Sequence, residues 1–167
     1  MTEPLIRRWK KRSLWEPGPH TRSVAVGREG IEQVLPHRDP FLLIDEVSEV
    51  DEVQSAIRGR RRIAVDDPVF AGHFPGSPVY PGALQVEVMA QLGMFMALSL
   101  TVDPVDIRVV RVIDAVFQTA VGPGDDLTVL AQLEDVADGY LVRCSGQLLR
   151  GSAVCAVAIM EVYFGQH

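Results

Sequence analysis

The most constraining feature of this sequence is a long apolar segment, residues 83–100, with the composition of a helix and one ionisable residue. The segment contains no proline, and Pro81 just before it suits a first helical turn. Apolar side chains fall on every face of the predicted helix rather than along one stripe. We expect such a helix to be buried nearly all round, so the rest of the chain must supply an enclosing layer.

Strand-like segments precede and follow this helix, and a short helix is predicted over residues 30–35. Alternation and β-branched residues predict strands over residues 41–52, 53–65, 107–119, 126–136, 140–149 and 152–164. Turn signals separate the last four, namely Gly122-Pro123-Gly124, Asp138-Gly139 and Arg150-Gly151. An antiparallel sheet needs one face covered, and the apolar helix can cover it. We therefore predict a single α+β domain, an antiparallel sheet wrapped around one long central helix at about residues 81–100.

Charge divides the chain into two parts. Residues 1–28 carry seven Lys or Arg and two Glu, whereas the remainder carries nine basic and 20 acidic residues. We expect a basic arm over residues 1–28, largely solvated and flexible, and a globular domain over residues 29–167. The arm could contact nucleic acid, an anionic membrane or an acidic protein. The acidic domain disfavours nucleic acid because it would repel phosphate.

Other composition signals indicate a cytoplasmic protein. Glu87 and Gln91 interrupt the apolar helix, so no membrane span is expected, and no apolar run follows the basic N-terminus as in a secretory signal. Cys144 and Cys155 lie in predicted strands without metal-ligand spacing. We expect both to be free buried thiols rather than a disulfide.

One histidine and one acid stand out around the start of the long helix. His73 lies in a loop rich in proline and glycine, and Glu87 is the only ionisable residue of residues 83–100. A carboxyl among apolar side chains tends to keep its proton and can act as an acid. The alternatives are a histidine that only forms loop hydrogen bonds and an acid that pairs with an arginine. These residue types alone leave the choice open.

Three motifs resemble one enzyme family. Residues 72–91 read GHFPGSPVYPGALQVEVMAQ, residues 35–47 read LPHRDPFLLIDEV, and residues 121–125 read VGPGD. In this order they resemble the FabZ-type (3R)-hydroxyacyl-[acyl carrier protein] dehydratases of the hotdog fold. The resemblance covers about residues 30–165, so residues 29–167 are expected to form one hotdog dehydratase domain.

The resemblance assigns roles to three residues. The catalytic histidine of the GHFP motif falls on His73, the helix acid on Glu87, and the backbone amide that polarises the thioester carbonyl on Gly82. It also implies homodimers, in some members trimers of dimers, in which His73 of one chain faces Glu87 of the other. Gln91, Tyr80 and Phe74 are expected to support the site or line its acyl tunnel, and His37 to play a supporting part.

The implied reaction is the dehydration of a 3-hydroxyacyl thioester to a trans-2-enoyl thioester, in fatty-acid or polyketide biosynthesis. Acyl carrier protein is the expected partner and holds the substrate on its phosphopantetheine; no metal or other cofactor is expected. Such chemistry needs a base, an acid and a donor to the thioester oxygen. A hotdog thioesterase and a non-catalytic acyl-binding subunit are the alternatives, but the first leaves His73 idle and the second does not need either residue.

The basic arm is atypical of that family. Because residues 1–28 carry a net positive charge, we hypothesise that they help to bind an acidic carrier protein. Deletion of the arm should then impair turnover of carrier-bound substrate.

Overall fold

A computed structural model describes residues 3–101, 105–135 and 141–166. Three α-helices are seen there: α1 (Glu3–Trp9), α2 (Arg28–Val34) and α3 (Gly82–Ser99). The strands are β1 (Arg22–Gly27), β2 (Glu46–Asp51), β3 (Ala56–Arg62), β4 (Val105–Phe117), β5 (Asp126–Asp135), β6 (Leu141–Arg150) and β7 (Ala153–Gln166). A short 3-10 helix, Pro68–Ala71, precedes the loop that carries His73.

All seven strands form one antiparallel sheet in the order β1-β2-β3-β5-β6-β7-β4. Helix α3 packs against its inner face, mainly over β5 and β6. The two layers approach closely because glycines stand at the contact: a side chain at Gly146 would lie 2.5 Å from Met89 Cβ. The predicted α+β domain, a sheet wrapped around one long central helix, is confirmed.

Helix α3 is less enclosed than the sequence predicts. Ten of its residues are buried, but Leu84, Glu87, Met94 and Leu98 are only half-buried and recur at helical spacing along one stripe. The reason is that the sheet of a single chain covers one side of the helix. By length and composition α3 could also cross a bilayer, yet 56% of its 18 residues are buried inside the fold.

The first two strands are shorter than the predicted ranges 41–52 and 53–65. The amides of Phe41 and Leu42 both donate to the carbonyl of Arg38, so this apolar stretch forms a turn before β2 begins. After β2, the carboxylate of Asp51 accepts from the amide of Gln54 and so shapes the hairpin turn. The four later strands lie close to their predicted ranges. Val136, Tyr140 and the predicted Asp138-Gly139 turn lie outside the described residues.

Residues of the basic arm are packed onto the sheet, in contrast to the expected solvated segment. Trp9 and Trp15 are 5% and 4% exposed and lie against the outer face of the sheet, the face opposite α3. Residues 22–27 add β1 to one edge of the sheet by pairing with β2. The physical reason is the large apolar area of the two indoles. Burying them against the sheet stabilises the packed arm, while the neighbouring charged side chains stay in water. The boundary at residue 28 stays a prediction.

Both cysteines are free and buried, as predicted. Burial without a nearby cation disfavours the thiolate, and it raises the pKa of Cys144 to about 12. Burial also raises the pKa of Cys155. These thiols therefore act as small apolar side chains of the core.

Candidate active site

The loop after the 3-10 helix holds the ring of His73 in one orientation. The amide of His73 donates to the carbonyl of Val69 over 3.0 Å, and its own carbonyl accepts from the amide of Val79, also at 3.0 Å. Nδ1 of the ring lies 2.7 Å from the carbonyl oxygen of Val79. A carbonyl oxygen can only accept, so in the neutral ring the proton sits on Nδ1 and Nε2 keeps its lone pair. Nε2 of His73 is therefore a candidate base, with its lone pair available in the neutral ring.

The exposed side of this histidine is covered by an aromatic ring. Phe74 stacks on His73 with ring centroids 4.0 Å apart, and 55% of Phe74 is exposed. Tyr80, at the other end of the loop, is buried in the core and packs edge-on against Phe70. Phe74 is thus placed beside the candidate base and Tyr80 beneath the start of α3. Their expected part in an acyl tunnel stays a prediction.

Helix α3 begins at Gly82, where a side chain would not fit. A Cβ atom there would lie 2.9 Å from Cζ of Phe117, the last residue of β4. The chain just before Gly82 is held by a backbone hydrogen bond, because the amide of Tyr80 donates to the carbonyl of Val121 over 2.7 Å. As the first helical residue, Gly82 has an N–H without an acceptor inside the helix. This amide and the helix dipole together favour an anionic oxygen at the helix start.

Glu87 lies one and a half turns along α3, with 28% of its side chain exposed. Within one chain it is therefore not the fully buried acid that the sequence predicts, because it lies on the half-covered stripe of the helix. Its Oε1 atom accepts from Nε2 of Gln91 over 2.8 Å. Gln91 is itself fixed, since it also donates to the carbonyl of Phe41 and accepts from the amide of Leu43, both at 2.8 Å. Gln91 therefore contacts Glu87 directly, and its expected supporting role stays a prediction.

A second neighbour of Glu87 was not predicted as a contact. Nε2 of His37 lies 3.5 Å from Oε1 of Glu87, and Nδ1 of His37 is buried with no hydrogen-bond partner in the described part of the chain. The ring of Phe41 stacks over that of His37 at 6.4 Å. The only signal in the sequence is the LPHRDPFLL motif, which marks His37 but says nothing of what it touches.

The structure thus brings Glu87, Gln91 and His37 together and places His73 apart from them. Across the described residues, no hydrogen bond or ion pair joins His73 to Glu87 within one chain. Gly82 lies between the two in sequence and marks the end of α3 nearest the His73 loop. A base, an acid and an amide donor are therefore all present, in two groups that a single chain does not bring into contact.

A family pattern matches most of this chain: the FabA-like domain, over residues 35–156. The chain belongs to the FabA-like family. Within this family it is similar to the 3-hydroxyacyl-[acyl-carrier-protein] dehydratase FabZ of Desulforamulus reducens. The two are 43% identical over 137 residues, which span 81% of this chain and 95% of the relative. The resemblance to FabZ-type dehydratases that the motifs predict is confirmed.

Solved structures agree on the fold of this FabA-like protein. The dehydratase heterocomplex ApeI:P from Xenorhabdus doucetiae is similar with a TM-score of 0.67 at 17% identity, over 87% of this chain and 93% of that one. A hot-dog-like protein from Thermanaerovibrio acidaminovorans gives 0.57 at 19% identity, over 65% and 79%. Thioesterases share the same fold. At such low identity these likenesses establish the hotdog fold alone.

Proposed function

We propose that this FabZ-like chain dehydrates (3R)-hydroxyacyl thioesters on acyl carrier protein to trans-2-enoyl thioesters, in fatty-acid biosynthesis. The observation that carries the proposal is the hydrogen bond from His73 Nδ1 to Val79, because it leaves Nε2 free to accept a proton. Similarity to a FabZ dehydratase at 43% identity supports the same reaction. A thioesterase needs no such base beside the helix acid.

The reaction follows from the three groups in turn. His73 removes a proton from C2 of the substrate through Nε2, and the bonding pair forms the C2–C3 double bond as the hydroxyl leaves C3. Glu87, in its protonated form, donates to that hydroxyl, which departs as water. Proton transfer from His73 back to Glu87 through solvent resets both groups.

The amide of Gly82 stabilises the charge that develops during this step. When the C2 proton leaves, negative charge spreads onto the thioester oxygen, and a fixed N–H donor there lowers the barrier by on the order of 3 kcal/mol.

We propose that no metal or redox cofactor takes part. The substrate arrives on the phosphopantetheine of the carrier, and the enzyme acts in the cytoplasm.

We also propose that a homodimer, alone or within a trimer of dimers, completes the site, with His73 of one protomer facing Glu87 of the other. The separation of these residues within one chain supports this arrangement. The edge strand β4 also supports a dimer. One edge of this 13-residue strand pairs with β7, and its other edge pairs with no strand in the described ranges. Val110 is 56% exposed and Val112 49%, so large apolar side chains stand in solvent along this edge, on either side of the exposed Arg111. A second copy of β4 would cover it.

The test is mass spectrometry of 3-hydroxyacyl carrier proteins of several chain lengths, incubated with the wild type, His73→Ala and Glu87→Gln. We expect the wild type to yield acyl carriers lighter by one water, and each variant to lose roughly 100-fold to 10,000-fold in rate. Thermal unfolding of each variant controls for loss of fold. Full turnover by either variant contradicts its assigned role, and release of a free acid by the wild type indicates a thioesterase instead.

A further inference from the structure

The basic arm is held on the outer face of the sheet by a buried glutamine. Gln147 of β6 is fully buried, and its Nε2 donates to the carbonyls of Trp9 and Arg12 over 2.6 and 2.8 Å. Its Oε1 accepts from the amide of Leu14 at 2.8 Å. Trp9 and Trp15 add apolar contacts with the sheet on either side of these bonds. The arm therefore has a defined position.

That position brings the basic end of the arm to the end of β4, across the sheet from the start of α3. Nε2 of Gln118 donates to the carbonyl of Lys10 over 2.9 Å. Gln118 directly follows Phe117, whose ring fills the space above Gly82. Two neighbouring contacts thus connect the arm to the start of α3. Lys10 and the amide proposed to bind the thioester thus lie at the same end of β4, on opposite faces of the sheet.

The side chains at this end of the arm are free to meet a partner. Lys11 and Arg12 are exposed and line a cleft of about 380 Å³ together with Ser13 and the turn at residues 151–152. Two other charges line the cleft: Glu16, and Arg58, which pairs with Glu49 at 2.8 Å. The cleft therefore keeps an excess of positive charge. The rest of the chain, by contrast, has 20 acidic residues against nine basic ones after residue 28.

We propose that Lys10, Lys11 and Arg12 form the surface that binds the acidic acyl carrier protein. This inference rests on the proposed function, since it takes the carrier to be the holder of the substrate. A carrier bound to these residues would lie at the end of β4, across the sheet from the start of α3, so its phosphopantetheine would pass around this end of the sheet to reach Gly82. Opposite charge mainly steers and orients such a partner, so the effect belongs to the binding of the carrier and not to the chemical step.

The experiment compares Lys11→Glu and Arg12→Glu with Arg8→Glu. Arg8 is an exposed cation of the same arm, but it lines a different cleft with Gln132 and Glu134 at the far end of β5. Each variant is assayed on a 3-hydroxyacyl carrier protein and on the matching small pantetheine thioester. All three changes alter an exposed side chain and reverse the same charge. Deletion of the arm is a poorer test, because it would also uncover the apolar outer face of the sheet.

We expect KM for the carrier-bound substrate to rise about tenfold in Lys11→Glu and Arg12→Glu, and to change little in Arg8→Glu. Turnover of the small thioester should stay at the wild-type level in all three. An unchanged KM, an equal rise in Arg8→Glu, or a loss on the small thioester would each overturn the docking surface. A wild type that dehydrates neither substrate would instead defeat the proposed function, so the two failures can be told apart.

Discussion

The carboxyl of Glu87 is oriented by two side chains that come from different parts of the chain. Gln91, one turn further along α3, donates to its Oε1 atom, and His37 approaches the same oxygen from the segment before β2. Gln91 also bonds the backbone of Phe41 and Leu43, so it ties that segment to the helix. In the described part of the chain the second oxygen of Glu87 makes no hydrogen bond, which leaves it for the substrate in the proposed reaction. Orientation of the acid and cohesion of the segment therefore depend on one amide.

Replacing Gln91 by leucine should impair both the orientation of Glu87 and the attachment of the segment before β2 to the helix. The amide of Leu43 would lose its acceptor, which costs about 1–3 kcal/mol in the free energy of unfolding. Loss of the hydrogen bond to Glu87 should lower kcat about tenfold, since about 1.4 kcal/mol corresponds to that factor. Urea unfolding and steady-state kinetics on a carrier-bound substrate measure the two effects.

Gln85→Leu is the matched control. Gln85 is also a buried amide of α3 and donates to the carbonyl of Tyr80 over 3.1 Å, but it makes no hydrogen bond to Glu87. We expect a loss of stability with kcat near the wild-type value. An equal fall of kcat in both variants would show that Gln91 acts only through the packing of the helix.

At the level of the elements, close contact between α3 and the sheet is made possible by two glycines. A Cβ atom at Gly93 of the helix would lie 2.4 Å from Sγ of Cys144, and one at Gly146 of β6 would lie 2.5 Å from Cβ of Met89. Real side chains do not approach to such distances, so either position excludes even a methyl group without movement of the layers.

Gly146→Ala should therefore destabilise the fold by about 1–3 kcal/mol through overpacking. Gly72→Ala is the control, because a methyl group there meets nothing within 4 Å and the backbone φ of −111° suits alanine. We expect the control to stay within about 1 kcal/mol of the wild type. Urea denaturation gives both values, and a Gly146→Ala variant as stable as the wild type would contradict the tight contact.

Elements with strong local patterns could be predicted from the sequence, and those that depend on distant partners could not. The apolar helix and the strands after it follow from periodicity and turn residues. The stretch around Leu42 and Leu43 also looks like a strand, but its amides bond to Arg38 and Gln91 instead. Strand β1 went unpredicted because its short RSVAVG sequence lies among basic residues. His73 and Glu87 could be named from motifs, whereas the contact of His37 with Glu87 has no local signal.

At the scale of the whole molecule, a single chain leaves the proposed site in two separate parts, and two surfaces of its described residues remain uncovered. The half-buried stripe of α3 contains Glu87, and the unpaired edge strand β4 ends at Phe117, which touches Gly82. Both surfaces therefore adjoin the candidate catalytic groups. A two-fold dimer would cover them together and would repeat the site twice.

Mixed dimers test whether the two catalytic residues meet across this interface. Co-expression of His73→Ala and Glu87→Gln chains under different affinity tags allows the mixed dimer to be isolated. One of its two sites would combine two intact residues, so we expect about half of the wild-type activity, although each parent is inactive. A mixed dimer as inactive as its parents would show that His73 and Glu87 of the same chain work together.

The anchor of the arm also has a consequence for synthesis. Gln147 follows its partners Leu14, Arg12 and Trp9 by 133, 135 and 138 residues. At about 5–20 residues per second, roughly 7 to 28 seconds pass on the ribosome before that glutamine is joined to the chain. Throughout this interval Trp9 and Trp15 have no sheet to lie against. Residues 9–15 are thus made well before the strand that anchors them, and a nascent chain must be kept from aggregating through two exposed indoles.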